Sequence, residues 1–327
     1  MKDILRVAAV LMIGSLTEPL QATDWYAAAG AQARDKGSQA LAFLPNELWI
    51  RAGDTIHWTF PTNELHTLTF LQPGQLRPPL YGQVFGVFLG CPGSARDGSS
   101  FDGSSCLSSD TLTAGQTYSV RFTNVGNFKL VCLVHADMTG VVHVLNPATN
   151  LPHDQAFYDH DADIERAVLI ADASRLVGAA SPAQRGEVTA GIGEIVTTGG
   201  GNNMASLQLF VQSEIVVHVG DTVEWTNRDP SANHTVTFGV EPADPRPPSL
   251  NLLPLDPDGA RHAVIRSSSD SVNSGFLAPT PQNRIGLPMS TPNVTRFRVT
   301  FTAPSVFNYI CALHDQLGMK GTVIVHQ

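Results

Sequence analysis

The sequence has little charge, few cysteines and no long apolar segment. Charged residues make up 15% of the 327 positions, and 29 acidic against 20 basic residues give a net charge of −9. Proteins that bind nucleic acid normally present a basic surface, so this balance opposes a nucleic-acid partner. Beyond residue 22 no apolar run reaches the roughly 20 residues that a helix needs to cross a bilayer. We therefore expect no membrane span.

Glycine and proline are abundant instead, with 28 and 22 residues. Such frequent turn residues, together with many threonines and valines, favour short strands over long helices. The chain is long enough to form two domains.

The N-terminus has the layout of a secretory signal peptide. Lys2 and Arg6 precede an apolar stretch from Val7 to Leu16, and Ala22 follows as the expected cleavage position. The apolar core is too short to span a bilayer. We therefore expect residues 1–22 to be removed and the mature protein to be periplasmic or secreted.

The four cysteines stand in two different contexts. Cys91 and Cys106 flank a loop rich in glycine, serine and aspartate, and a disulfide between them would stabilise that loop. Cys132 and Cys311 each follow a β-patterned run and precede a histidine by three residues. An even count in an exported protein suggests two disulfides, but these contexts predict one disulfide, Cys91–Cys106, and two special thiols.

The chain contains two copies of one pattern. The stretch ELWIRAGDTIHWTF (47–60) matches EIVVHVGDTVEWT (214–226), ELHTLTF (64–70) matches NHTVTF (233–238), and GNFKLVCLVHADMTGVVHV (126–144) matches SVFNYICALHDQLGMKGTVIVH (305–326). Repetition on this scale indicates two similar domains. We place them at 23–148 and 186–327.

Each copy has the alternation of apolar and polar residues that is typical of strands. About seven or eight short strands per copy predict an all-β fold of two antiparallel Greek-key sandwiches. The segment between the copies, 149–185, begins as a polar stretch. From Asp161 it has acidic residues followed by apolar residues at helical spacing. We expect a linker there with one short helix that ends near Ser181.

Both copies carry a thiol, two imidazoles and a thioether. The first set is His66, Cys132, His135 and Met138, and the second is His234, Cys311, His314 and Met319. Soft sulfur ligands beside imidazoles select copper, and two histidines and a cysteine with a weak axial methionine form the type 1, or blue, copper set. Zinc is the competing metal, but methionine is a poor zinc ligand and no hard fourth donor accompanies either set. We predict two type 1 copper ions per chain.

These stretches resemble the cupredoxins of the plastocyanin/azurin family. In the second copy the resemblance lies in GDTVEWTN, NHTVTF and YICALHDQLGMKGTVIV, with Cys-x₂-His-x₄-Met spacing; in the first copy the Cys-x₂-His-x₂-Met loop is that of amicyanin-like members. The resemblance implies a sandwich with copper near one end and electron passage through an exposed loop histidine, here His135 and His314. It also implies a redox protein as donor or acceptor. The segments 71–110 and 240–292 are longer than in small members of the family.

The expected function is therefore single-electron transport by an exported, non-enzymatic blue copper protein. Copper storage or delivery would use the same ligands and stays open as an alternative. An enzyme of the multicopper oxidase or nitrite reductase type is a further alternative, although trinuclear centres use His-x-His pairs and the sequence has none. A sandwich that only binds other proteins would have no use for two complete ligand sets.

Overall fold

The structure, a computed structural model, describes residues 22–75, 77, 91, 97–180, 186–243, 253–278 and 294–327. The predicted signal peptide up to residue 21 lies outside the described residues, as do parts of the long segments 71–110 and 240–292.

The described part of the chain forms two halves built of strands, with one long helix, α1 (Gln155–Ala179), between them. The strands of the first half are β1 (Asp24–Gln32), β2 (Ser38–Leu44), β3 (Glu47–Arg51), β4 (Thr55–Thr59), β5 (His66–Phe70), β6 (Ser99–Phe101), β7 (Leu107–Leu112), β8 (Thr117–Phe122), β9 (Gly126–Val131) and β10 (Thr139–Leu145). Those of the second half are β11 (Glu187–Thr197), β12 (Asn202–Val211), β13 (Glu214–His218), β14 (Thr222–Arg228), β15 (Thr237–Phe238), β16 (Arg261–Ile265), β17 (Val272–Asn273), β18 (Arg296–Phe301), β19 (Ser305–Ile310) and β20 (Lys320–His326).

Each half is a sandwich, which confirms the predicted fold class. In the first half the five-stranded sheet β3-β10-β9-β5-β7 packs on strands β2, β1, β4, β8 and β6; in the second half β13-β20-β19-β15-β17 packs on β12, β11, β14, β18 and β16. The pairing is mixed rather than purely antiparallel, since the described strands of each half include three parallel pairs. A tryptophan lies at the centre of each core, Trp58 in the first and Trp225 in the second.

The two halves share one continuous sheet. Strands β2 and β12 pair antiparallel, with Leu41 opposite Met204 and Ser38 opposite Leu207. This pairing joins the outer sheets of both sandwiches into ten strands in the order β16-β18-β14-β11-β12-β2-β1-β4-β8-β6. Because β2 and β12 hold equivalent places in their halves, the pairing relates the halves by an approximate two-fold axis.

Helix α1 covers the junction between the halves. Leu169 and Ala173 pack on alanines of β2 and β12, among them Ala40 and Ala205, and these small side chains let the helix approach the sheet closely. Tyr158 anchors the first turns, because its hydroxyl donates a 3.0 Å hydrogen bond to the carbonyl of Trp49. The linker is therefore packed against the sheet rather than extended.

The helix begins earlier than the sequence predicted. Asp154 caps it by accepting a 3.0 Å hydrogen bond from the backbone N–H of Phe157, so the residues from Gln155 to Asp161 are helical rather than loop. At 25 residues the helix is also longer than expected. No helix in the described residues combines the length and the hydrophobicity that crossing a bilayer requires.

Glu165 of α1 is held in an environment that disfavours its charge. Its carboxylate accepts a 3.2 Å hydrogen bond from the backbone N–H of Asn46. Burial, followed by repulsion from Asp161, raises the pKa of Glu165 to about 7. Because this pKa lies above that of an unfolded chain, the folded state binds more protons between the two values. The contribution to stability is therefore complete below pH 4 and is lost as the pH rises through 7.

We predict that Glu165→Gln stabilises the metal-free protein at pH 8 and leaves its stability unchanged at pH 4. The amide keeps the acceptor for Asn46 and removes the charge, so the free energy of unfolding at pH 8 should rise by about 1 kcal/mol, allowing for solvent that still reaches the group. Denaturant titrations at both pH values measure the difference. The matched control is Asp163→Asn on the exposed face of the same helix. Equal pH dependence in Glu165→Gln and the wild type would contradict the prediction.

Candidate metal centres

Strand ends bring the first ligand set together. His66 is the first residue of β5, Cys132 follows β9, and Met138 precedes β10. The ligand atoms of His66, Cys132 and His135 lie within 4.8 Å of one another, and all three residues are buried. Nδ1 of His135 is 3.7 Å from Sγ of Cys132. Met138 is buried in the same apolar cluster as Cys132.

The second half repeats this arrangement. His234, Cys311 and His314 form the other buried group whose ligand atoms lie within 4.8 Å of one another. Nδ1 of His314 is 3.4 Å from Sγ of Cys311 and 3.1 Å from Nδ1 of His234. Met319 is buried beside Cys311 in the core of the second half. The structure thus brings together the predicted cysteine and histidines of each set.

The same backbone hydrogen bonds support both thiols. The N–H of Thr67 donates to Sγ of Cys132 at 3.4 Å, and the N–H of Thr235 donates to Sγ of Cys311 at 3.3 Å. The two threonine hydroxyls each accept a 2.7 Å hydrogen bond from the residue after the cysteine. In both loops the cysteine N–H donates to the methionine carbonyl at 3.0 Å. These hydrogen bonds hold the two ligand loops in the same conformation.

Electrostatics favour thiolates at both positions. Burial alone would raise the pKa of Cys132, but hydrogen bonding and charge from His135 outweigh it and hold the pKa well below its usual value. At Cys311 the charge of His314 has the same effect against burial. A thiolate is the form of cysteine that binds metal.

Glycines support the remote histidines. Gly30 in β1 and Gly191 in β11 both lie at β-bulges and have positive φ angles of 79° and 77°. A Cβ atom at either position would collide with Nε2 of the facing histidine, His66 or His234. The imidazoles therefore pack directly on backbone, which turns Nε2 towards the bulge. Comparison of the two repeats could have found this pair of glycines, but nothing in the pattern connects a glycine with a metal ligand.

The donor set fits copper. Each group offers one thiolate and two imidazoles with no oxygen ligand, and Nδ1 of buried His66 has no hydrogen-bond partner in the described part of the chain. A buried, convergent set of one thiolate and two imidazoles matches a type 1 copper site. Such a metal, when bound, can gain and lose one electron, and the chain's part is to hold the donors in place.

Comparison with known proteins agrees with this donor set. The family model for copper binding proteins of the plastocyanin/azurin family matches residues 31–145 and 194–326, which is more than half of the chain. The chain belongs to the plastocyanin/azurin family. The match covers both halves, so this protein is a tandem member with one copper-binding site per half.

Solved structures of family members align with one part of this cupredoxin. Oxidised plastocyanin from Dryopteris crassirhizoma is 18% identical, with 42% of this chain and 98% of that chain covered and a TM-score of 0.22. Amicyanin from Paracoccus versutus is 18% identical over 39% and 86% of the two chains, with a TM-score of 0.24. Auracyanin B is 18% identical over 38% and 89%, with a TM-score of 0.27. A search of the curated proteins finds no match.

One expectation drawn from the family resemblance is wrong for this chain. The loop histidines were expected at the surface, but His135 is 1% exposed and His314 is 4% exposed. They are buried because the halves pack with their ligand loops facing each other. Close to the loops, the N–H of Asp137 donates a 2.9 Å hydrogen bond to Oγ of Ser231 in the other half.

Glu64 lies between the two ligand sets and was missed by the sequence analysis. Nε2 of His135 is 3.2 Å from its Oε1, and Nε2 of His314 is 3.4 Å from its Oε2. Burial would raise the pKa of Glu64, but the charge of His314 and the hydrogen bond from His135 hold it well below its usual value. The repeats offered one signal, since the position equivalent to Glu64 is Ala232.

The remaining two cysteines pair as predicted. Cys91 and Cys106 form a disulfide with a Cα–Cα distance of 5.2 Å, and Cys132 and Cys311 are free and buried. The disulfide closes part of the long segment between β5 and β7 in the first half.

We predict that Gly191→Ala disables the second centre alone. The added methyl group collides with His234, so copper bound per chain should fall from two towards one, measured by metal analysis after loading and dialysis. Gly220→Ala is the matched control, because Gly220 also has a positive φ but its Cβ would meet no atom within 4 Å. Both variants lose about 1 kcal/mol to the left-handed conformation. Two coppers retained in Gly191→Ala would contradict the role of the glycine.

Proposed function

We propose that this protein is an exported electron carrier that binds one type 1 copper in each half and moves single electrons between redox partners. The observation that carries the proposal is the pair of convergent, fully buried donor sets, each with one thiolate and two imidazoles. Proteins of this family act with redox partners, and in this chain the partners are not identified. In each set the cysteine and two histidines would hold the copper, and Met138 or Met319 would supply the weaker thioether ligand.

Rigidity supports electron transport. The ligands stand at strand ends, their loops are closed by backbone hydrogen bonds, and the remote histidines pack on glycine. A site that cannot rearrange holds both oxidation states of copper in nearly one geometry, which makes electron transfer fast. Copper storage or delivery fits less well, because delivery requires a ligand that an acceptor can reach and all six cysteine and histidine ligands are buried.

A role as an electron carrier rather than an enzyme is part of the proposal, and the match to the copper-binding family supports it. In the described residues, two groups of three metal-binding side chains come together. Export is supported by the N-terminal sequence and by the disulfide, since disulfides persist in oxidising compartments.

The test is the copper content of the purified protein read together with its visible spectrum. We expect two coppers per chain and an intense blue thiolate-to-copper band. Cys132→Ser and Cys311→Ser should each remove about half of the band, because each removes one thiolate and leaves the other centre intact. The two single variants serve as controls for each other. Copper-loaded protein without the blue band would contradict electron transport and favour copper handling.

A further inference from the structure

Glu64 is a single buried carboxylate shared by two ligand histidines from different halves. It is 6% exposed, and each of its oxygens accepts from a different imidazole, His135 or His314. An ionised carboxylate accepts hydrogen bonds only, so both Nε2 atoms carry the proton. With Nε2 protonated, Nδ1 of each ring is left to face its thiolate.

The contact is a direct polar connection between the two centres. It consists of one side chain and two hydrogen bonds of 3.2 and 3.4 Å, with no exposed group between the rings. A carboxylate that binds the outer nitrogen of a metal-binding histidine fixes the ring and raises its basicity as a ligand. Here one carboxylate does this for two centres at once.

The burial of this charge needs a reason beyond folding. An unpaired buried carboxylate destabilises a protein strongly, and even a paired one is often no better than an apolar contact. The equivalent position in the second half carries Ala232, which the fold accommodates as a buried residue. A charged side chain at this position in only one half therefore points to a role that involves both centres.

We propose that His135, Glu64 and His314 form the connection through which the two centres exchange an electron. The inference rests on the proposed function. With copper held at both sites and one electron shared by the chain, electron loss at one centre would balance electron gain at the other, so no outside oxidant is needed. Both Nε2 protons stay in place. The loop histidines serve exchange inside the molecule, and partner proteins contact some other part of the surface.

The test compares electron redistribution in the wild type, Glu64→Gln and Glu64→Asp. The glutamine amide has one oxygen, which can accept from one imidazole N–H. Its NH₂ group is a donor and cannot accept from the other imidazole, so one of the two hydrogen bonds is lost. Aspartate keeps the charge but is one methylene too short to reach both rings. Fully oxidised protein is mixed with less than one equivalent of a small reductant and frozen at set times. Electron paramagnetic resonance then follows each centre, with Cys132→Ser and Cys311→Ser as reference spectra.

We expect redistribution in the wild type to be independent of protein concentration and to slow about 10-fold or more in both Glu64 variants. The matched control is Glu47→Gln, which removes a carboxylate 3.0 Å from Nε2 of His143 away from the centres. This control should redistribute at the wild-type rate. The inference would be overturned if Glu64 variants that still bind two coppers redistributed the electron at the wild-type rate. It would also be overturned if redistribution in the wild type became faster with protein concentration, as collisions between molecules require.

A second readout needs no electron transfer. In the ¹⁵N-labelled Cu(I) protein, His135 and His314 should each give an imidazole N–H signal protected from exchange, and Glu64→Gln should lose protection at one of them. Two unprotected signals in the wild type would also overturn the inference. Failure of the proposed function would show separately, as a missing blue band in the wild type.

Discussion

The pairing of β2 (Ser38–Leu44) with β12 (Asn202–Val211) is the constraint on which the rest of the structure depends. All seven residues of β2 are buried, between the core of the first half, the helix and the second half. A strand buried in this way cannot act as a free sheet edge, so the two sandwiches cannot separate without exposing a row of unpaired backbone groups. The pairing also fixes the orientation of the halves and places both ligand loops at their interface.

This orientation determines the surroundings of the loop histidines. The family resemblance placed them at the surface, whereas in this chain the outer edges of both rings contact Glu64. The interface is polar at this point because the imidazoles need a partner for their N–H groups, and one carboxylate satisfies both. Glu64, His135 and His314 can be buried together because each is paired with an oppositely charged or hydrogen-bonding neighbour. Removal of any one would leave another buried group without its partner.

The sequence predicted the fold class and the grouping of each cysteine with its two histidines, because much of both depends on local patterns. Two complete ligand sets could be recognised at Cys132 and Cys311 since three of the four ligands lie within nine residues of one another in each copy. Cys91 and Cys106 could be paired from the composition of the loop between them. In each case residues close in sequence determine the geometry.

What the sequence could not predict depends on packing between distant segments. The early start of α1 depends on the N-cap residue Asp154. The shared sheet depends on the pairing of β2 with β12, which lie in different halves. Glu64 lies two residues before a predicted ligand, yet its contact with His314 joins residues 250 positions apart. The expectation that His135 and His314 are exposed was wrong because the two halves pack together over them.

The most direct test of this account is anomalous X-ray scattering at the copper edge from crystals of the copper-loaded protein. The account predicts two copper peaks per chain, one at His66, Cys132 and His135 and one at His234, Cys311 and His314, with Glu64 hydrogen-bonded to both loop histidines between them. A single peak, or two peaks whose loop histidines face solvent on separated halves, would contradict it.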